Sequence, residues 1–324
     1  MNYIGIKMSL FQIFNKKILW MVVVLATLSI HLFGDVTPHL ILYFDINKTL
    51  IASDKAGNKS VSDVLNELLA EKYEAQWDVT TPKMSFEMYV YDVLVPGSSL
   101  HDNVYQERKY HVQHFVDYLR EKAHPLYQTV LQDYNSLLAS LNQSSGMVFP
   151  SFYHLLEHLD KAKISYSIIL RSFGDETVDV AKEVNKIYKK IFRSLGEFRG
   201  EQLVFNGKLI EGTDSIYQLL RRVEHAAIHD DWKHWNGHGM TAKHGKPFYV
   251  DREDPKTLSI FFDDNIKNDL VHNIVAPLDA KTGELISIEE LIESGQAVRV
   301  DTLKAIQEPN YFIDRVQEAL DKKG

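Results

Sequence analysis

Two short apolar runs, far apart in the chain, constrain its fold more than any other feature. Residues 40–44 read Leu-Ile-Leu-Tyr-Phe and end on Asp45, and residues 258–262 read Leu-Ser-Ile-Phe-Phe and end on Asp263. Each run has the length and the aromatic and β-branched content of one buried strand. A carboxylate at the C-terminal end of such a strand lies where open α/β sheets collect their ligands. Thr49 follows Asp45 by four residues, close enough for its hydroxyl to fold back toward the same point. Alone, either run reads as a strand closed by an Asx turn or followed by a helix cap. The repetition of the pattern points to a shared site.

The segment between the runs divides in two. Residues 60–158 carry helical periodicity: Val61, Val64, Leu65, Leu68 and Leu69 recur at three- and four-residue steps. Further helices are predicted over 104–119, 126–141 and 152–159, with breaks at Pro96-Gly97 and His124-Pro125. After Ala162, strands and helices alternate. Strands are expected at 164–170, near Leu203 and at 274–277, and helices over 176–195, 216–225, 288–292 and 311–320. Residues 229–251, with Trp232, Trp235 and four histidines, show no period and read as a long structured loop. Strands alternating with helices imply a parallel sheet covered on both faces. The expected fold is therefore a three-layer, Rossmann-like α/β core formed by residues 36–54 and 160–324. Residues 55–159 form a helical insertion after the first strand.

The 324 residues carry a net charge of −8, which gives no electrostatic case for binding nucleic acid. The chain has no cysteine, so disulfides, thiolate nucleophiles and zinc–thiolate sites are excluded. Residues 1–35 differ from the rest. Lys16 and Lys17 precede a run without charge over 18–30, which His31-Leu-Phe extends. A basic flank followed by a short apolar core is the pattern of a signal peptide, with an uncleaved membrane anchor over 18–33 as the rival. The expected location is exported or membrane-anchored, and Met8 is a second candidate start for the leader.

Four elements line up in chain order. They are a strand ending in Asp45-Ile-Asn-Lys-Thr49, a strand ending in Ser172, a lysine within Lys243-His-Gly-Lys246, and a strand ending in Asp263-Asp264. This ordered set resembles the haloacid dehalogenase-like superfamily, most of whose members are phosphatases and phosphotransferases. The resemblance runs from about residue 39 to the end of the sheet, with residues 55–159 in the place of that family's helical cap.

The resemblance implies roles that chemistry makes intelligible. Asp45 would be the nucleophile that forms an aspartyl-phosphate. The transferred phosphoryl group spreads negative charge over its equatorial oxygens and needs donors and cations around it. Ser172 and Thr49 would supply hydroxyls, the backbone near Phe173 and Gly174 would supply N–H groups, and Lys246 a charge. Lys246 is preferred to Lys243 and Lys256 because Gly245 and Pro247 hold it on a tight loop, whereas Lys256 sits at the wrong end of its strand. Mg²⁺ favours oxygen ligands and takes one or two carboxylates. Asp45, Asp263 and the backbone carbonyl of Asn47 would bind it, with Asp264 behind them. The partner would be a phosphorylated small molecule.

One position departs from the family pattern. Two residues after the nucleophile these phosphatases usually carry an aspartate that acts as general acid and base, and here it is Asn47. An amide cannot exchange a proton at neutral pH, and such assistance is typically worth ~10²–10⁴-fold. Either another group serves, for example a histidine of the 229–244 segment, or the chain acts only on good leaving groups. The alternative is a catalytically impaired protein that binds a phospho-ligand or a protein partner. The histidines at 225, 229, 234, 238 and 244 match no standard metal-binding spacing and read as surface or loop residues.

Overall fold

The structure, a computed structural model, describes residues 37–323 apart from residue 56 and residues 99–100, 144–145 and 189–191. The expected leader over 1–35 lies outside the described residues. Among the described residues no helix is long and apolar enough to cross a membrane.

Twelve strands are present among the described residues. In chain order they are β1 (His39–Asp45), β2 (Glu74–Ala75), β3 (Met84–Ser85), β4 (Tyr166–Ser172), β5 (Ser194–Arg199) and β6 (Gln202–Phe205). Then come β7 (Lys208–Ile210), β8 (His225–His229), β9 (Lys246–Val250), β10 (Thr257–Asp263), β11 (Val275–Asp279) and β12 (Ala297–Arg299). Eight of them form one sheet in the order β12-β10-β1-β4-β8-β5-β6-β7. The pairs from β12 to β5 are parallel, and β5-β6-β7 continue as an antiparallel edge. After β1 the chain builds outward on one side, through β4 and β8, and only later crosses to the other side for β10 and β12. β1 is thus the point where the direction of building reverses, and a crevice opens there at the carboxyl ends of the strands.

The period-2 geometry of a strand explains why β1 is apolar throughout. Leu40, Leu42 and Phe44 enter one core while Ile41 and Tyr43 enter another on the opposite face. Phe44 stacks on Phe262 at 4.6 Å and meets Phe152 and Phe312 edge-on at 5.1 and 5.3 Å. Truncation of so enclosed a phenylalanine typically costs about 3–5 kcal/mol.

Helices cover the Phe44 face. They are α1 (Val61–Lys72), α2 (Phe86–Tyr89), α3 (Asp102–Gln113), α4 (Phe115–Glu121), α5 (Tyr127–Gln143), α6 (Pro150–Ala162) and α7 (Glu176–Tyr188). α1 starts where Ser60 and Asp63 form a reciprocal capping box, which satisfies two otherwise orphaned amides. α6 starts on Pro150, whose missing N–H costs nothing in the first turn. The opposite face carries α8 (Thr213–Leu220), the two-stranded parallel sheet β9-β11 and α10 (Ile288–Glu293), with α9 (Trp232–Gly237) near the strand ends. α11 (Thr302–Gln307) and α12 (Tyr311–Lys323) return to the Phe44 face.

The helical segment has no core of its own. Trp77, Phe86 and Phe115 belong to the same apolar cluster as Leu42 and Phe44, and α6 lies directly against the sheet through Phe152. Four local expectations need correction. The helix expected over 176–195 ends at Tyr188, and residues 194–199 are strand β5, half-exposed and therefore without a clear apolar pattern. The helix expected over 216–225 is Thr213–Leu220, and His225 opens β8. The segment 229–251 is not one loop, since it holds α9, a 3₁₀ turn at Ala242–His244 and the buried strand β9. The sheet is mostly rather than wholly parallel.

Candidate functional site

Register places the two aspartates side by side. Phe44 pairs with Phe262 in the parallel β1–β10 ladder, so Asp45 and Asp263 are the next residues of adjacent strands. On the other side Asp45 pairs with Arg171, and Ser172 ends β4 one residue later. A carboxylate oxygen from each of Asp45, Asp263 and Asp264 lies within 4.8 Å of those of the other two.

Lys246 reaches this cluster from β9. Its Nζ donates to Asp45 Oδ1 at 2.5 Å and to Asp263 Oδ2 at 2.7 Å, and the lysine is only 1% exposed. The preceding glycine makes that position possible. A Cβ at residue 245 would lie 2.5 Å from the Ile274 carbonyl oxygen, which itself accepts the Lys246 N–H at 2.7 Å. Of the three lysines weighed from sequence, Lys246 is therefore the one at Asp45. Lys243 is exposed, and Lys256 precedes the N-terminal end of β10.

The electrostatics follow from burial. Desolvation works against the Lys246 ammonium, but Asp263 and Asp45 outweigh it and hold its pKa above the usual lysine value. Desolvation pushes Asp45 well up; Lys246 pulls it down, while Asp263 and Asp264 push it further up. Asp264 is driven to about 7 by desolvation and by Asp263, against Lys48 and Lys246. Three carboxylates thus cluster about one ammonium, which touches two of them. Lys48, the next cation, is bound to Glu67 at 3.2 Å, and its charge is held against desolvation by Glu67 and Asp264. The cluster is short of positive charge, and its free donors are oxygens, the ligand type of a hard divalent cation.

The loop after β1 is tightly tied. The N–H groups of Thr49, Leu50 and Ile51 all turn back to the Ile46 carbonyl, and Lys48 sits at φ 58° with its own carbonyl accepting from Thr302 Oγ1 at 2.6 Å. Asn47 Oδ1 is buried and has no hydrogen-bond partner among the described residues. An orphaned buried acceptor is rare and calls for a donor that the protein alone does not provide. Thr49 does not line the cleft over the site. It is fully buried, and its hydroxyl accepts the Asp264 N–H at 3.2 Å, so it braces the β1 loop against the β10 loop.

A cleft of about 880 Å³ opens over these strand ends. Asp45, Asn47, Ser172, Phe173, Gly174, Lys246 and Asp264 line it, while Asp263 lies beneath, closed off from solvent. Ser172 Oγ accepts the Gly174 N–H at 2.9 Å, which leaves its own proton to donate. Phe173 stacks on Trp235 at 5.4 Å and meets Trp232 edge-on at 5.6 Å, giving one side of the cleft an aromatic wall. Lys48, Lys59, Lys267 and Tyr105 also line it. Sequence reasoning missed these last four. Only the tryptophans carried a signal, the aromatic content of 229–251.

The loop histidines stand elsewhere. None of His229, His234, His238 and His244 lines this cleft, whereas His272, which sequence reasoning passed over, does. Beneath the site Arg171 and Asp230 form a buried pair, with Nε 3.1 Å from Oδ2 and a further bond from Nη2 to Oδ1. Arg171 Nη1 also donates to the Pro247 carbonyl at 2.9 Å, so one guanidinium joins β4, the end of β8 and β9. Compared with protein-family models, with curated proteins and with solved structures, the chain finds no match.

Proposed function

We propose that the chain is a Mg²⁺-dependent phosphomonoester hydrolase or phosphotransferase of the haloacid dehalogenase-like kind. The carrying observation is the convergence of Asp45, Ser172, Lys246, Asp263 and Asp264, from four separate stretches of sequence, at the carboxyl ends of β1, β4 and β10. A carboxylate oxygen of Asp45 attacks phosphorus, the bond to the ester oxygen breaks, and that oxygen leaves and takes up a proton. Water then attacks the aspartyl-phosphate, releasing inorganic phosphate and restoring Asp45. Ser172 and Lys246 hold the phosphoryl oxygens in this reading, and the N–H groups around Phe173 and Gly174 add donors. Asp45, Asp263 and the Asn47 carbonyl would hold Mg²⁺, backed by Asp264. When bound, it supplies the positive charge that the three carboxylates lack and stabilises the charge of the transferred group.

Residues 55–159 would act as the cap. Tyr105 and the turn carrying Gly57 and Lys59 line the cleft from this segment, together with Phe173 and Trp235. An aromatic wall beside several lysines suits a phosphate ester with a planar or apolar group. Export or membrane anchoring through residues 18–33 belongs to the same proposal.

The test is turnover of p-nitrophenyl phosphate by the purified protein, with and without Mg²⁺, beside Asp45→Asn. Mg²⁺-dependent turnover that Asp45→Asn abolishes is expected, and equal background rates in all arms would sink the hydrolase reading. A second reading rests on Asn47, an amide where an acid is expected: a phospho-ligand binding protein without turnover. Inorganic phosphate would then quench the fluorescence of Trp232 and Trp235 while no phosphate ester is cleaved.

A further inference from the structure

We propose that His234, His238 and His244 form a binding site for a divalent transition-metal ion of the zinc class, separate from the aspartate cluster. The inference does not depend on the phosphoryl-transfer reading.

Ring nitrogens of the three histidines lie within 4.8 Å of one another. Ring centroids are 4.4 Å apart for His234 and His238, 4.0 Å for His238 and His244, and 5.2 Å for His234 and His244. The fold makes this meeting from two local elements. His234 lies in α9 and His238 caps its C-terminus four residues later, so both share one face. His244 comes from the 3₁₀ turn at Ala242–His244.

One hydrogen bond orients a ring of the cluster. His238 Nδ1 lies 2.7 Å from the His234 carbonyl oxygen, which can only accept, so Nδ1 carries the proton and Nε2 the lone pair. Thr241 Oγ1 donates its one proton to the His238 carbonyl at 3.2 Å. The same hydroxyl lies 2.9 Å from His244 Nδ1, so Thr241 ties the two rings' segments together. Carbonyl or hydroxyl partners on the far ring nitrogen are the usual support of a metal-binding histidine.

The surroundings hold the cluster without closing it. Asp231 accepts the His234 N–H at 2.9 Å and the Gly200 N–H at 3.0 Å, tying α9 to the β5–β6 turn. His234 and His244 line a separate cleft of about 370 Å³ together with Glu201. His238 and His244 stack nearly parallel, 17° apart, so a shared ion with Zn–N bonds of roughly 2.0–2.1 Å requires the exposed His238 ring to turn out of the stack and release its bond to the His234 carbonyl. Trp235 follows His234, and Lys246 lies two residues beyond His244. A bound ion would therefore clamp the segment that carries the aromatic wall and the site lysine.

The experiment titrates Zn²⁺ by calorimetry, and Co²⁺ by its visible d–d absorption, into the full-length protein with Mg²⁺ in excess over the carboxylates. One Zn²⁺ per chain and Co²⁺ bands are expected, with affinity falling at least about tenfold in both His238→Ala and His244→Ala. His154→Ala and His158→Ala, exposed histidines that line neither cleft, serve as controls and retain full affinity. Thermal melts without metal check that the two variants fold as the parent does. Absence of Co²⁺ bands, or undiminished Zn²⁺ binding in His238→Ala and His244→Ala, overturns the proposal.

Discussion

The Lys246 ammonium meets the Asp45 carboxylate at 2.5 Å although 201 residues of sequence separate them. The contact is buried, so its attraction is offset by the cost of removing both charges from water, and it is weak evidence for stability. It is strong evidence for placement. A close glycine contact, a strand and two chain crossings converge to set one ammonium against two carboxylates.

Removal of that ammonium strands the carboxylates. In Lys246→Met, Asp45 and Asp263 face one another without their shared partner, and breaking a buried pair typically costs about 3–5 kcal/mol. Urea unfolding near pH 7 should show that loss. The loss should shrink near pH 5, where one carboxylate takes up a proton, and the double variant with Asp45→Asn should recover part of it. Equal midpoints for Lys246→Met and the parent protein would contradict the buried pair.

Asp264 predicts a slope of stability with pH. Its folded pKa of about 7 lies above its ordinary value of 3.8. Between those values the folded chain holds a proton that the unfolded chain has released, so this group's contribution falls as pH rises from about 4 to 7. Asp264→Asn should remove that component, which appears as the difference between the two proteins' melting temperatures across the range. A divalent cation takes the ionised form, so added Mg²⁺ should raise the parent's melting temperature more at about pH 8 than at about pH 5.

Arg171→Met should be as damaging as a core truncation. It leaves Asp230 buried and unpaired and frees the Pro247 carbonyl, so a loss of about 3–5 kcal/mol is expected from unfolding curves. Arg171→Met with Asp230→Leu removes both charges and should regain most of it. Failure to regain would locate the loss in the Pro247 contact instead.

What was legible in the sequence was local. Asp45, Ser172 and Asp263 could be read because each follows a short apolar run, over 40–44, 168–170 and 260–262, in a strand with both faces buried. β5 could not, because Ser-Leu-Gly-Glu-Phe-Arg is half-exposed and alternates too weakly. β9 was hidden because its first buried residue is a lysine, a choice explained only by two carboxylates from other strands. Arg171 and Asp230 lie 59 residues apart, and nothing local marks them as partners. His234 and His238 stand four residues apart on one helical face, but the cluster of three was not legible because His244 comes from a turn rather than from the helix.

Asn47→Asp is the sharpest test of the site. The amide oxygen is already buried at the cleft without a partner, so a carboxyl of the same shape fits without steric change. It would supply the missing general acid and base, worth roughly 10²–10⁴-fold where proton transfer to the leaving group limits turnover. The gain should be largest for alkyl phosphates and smallest for p-nitrophenyl phosphate, whose leaving group hardly needs a proton. The same change adds a carboxylate to a cluster already short of cations, so without Mg²⁺ the variant should melt below the parent protein. Turnover of glycerol phosphate and melting temperature, each with and without Mg²⁺, measure the two effects. An Asn47→Asp protein with parental rates on alkyl phosphates would mean that residue 47 does not face the leaving group.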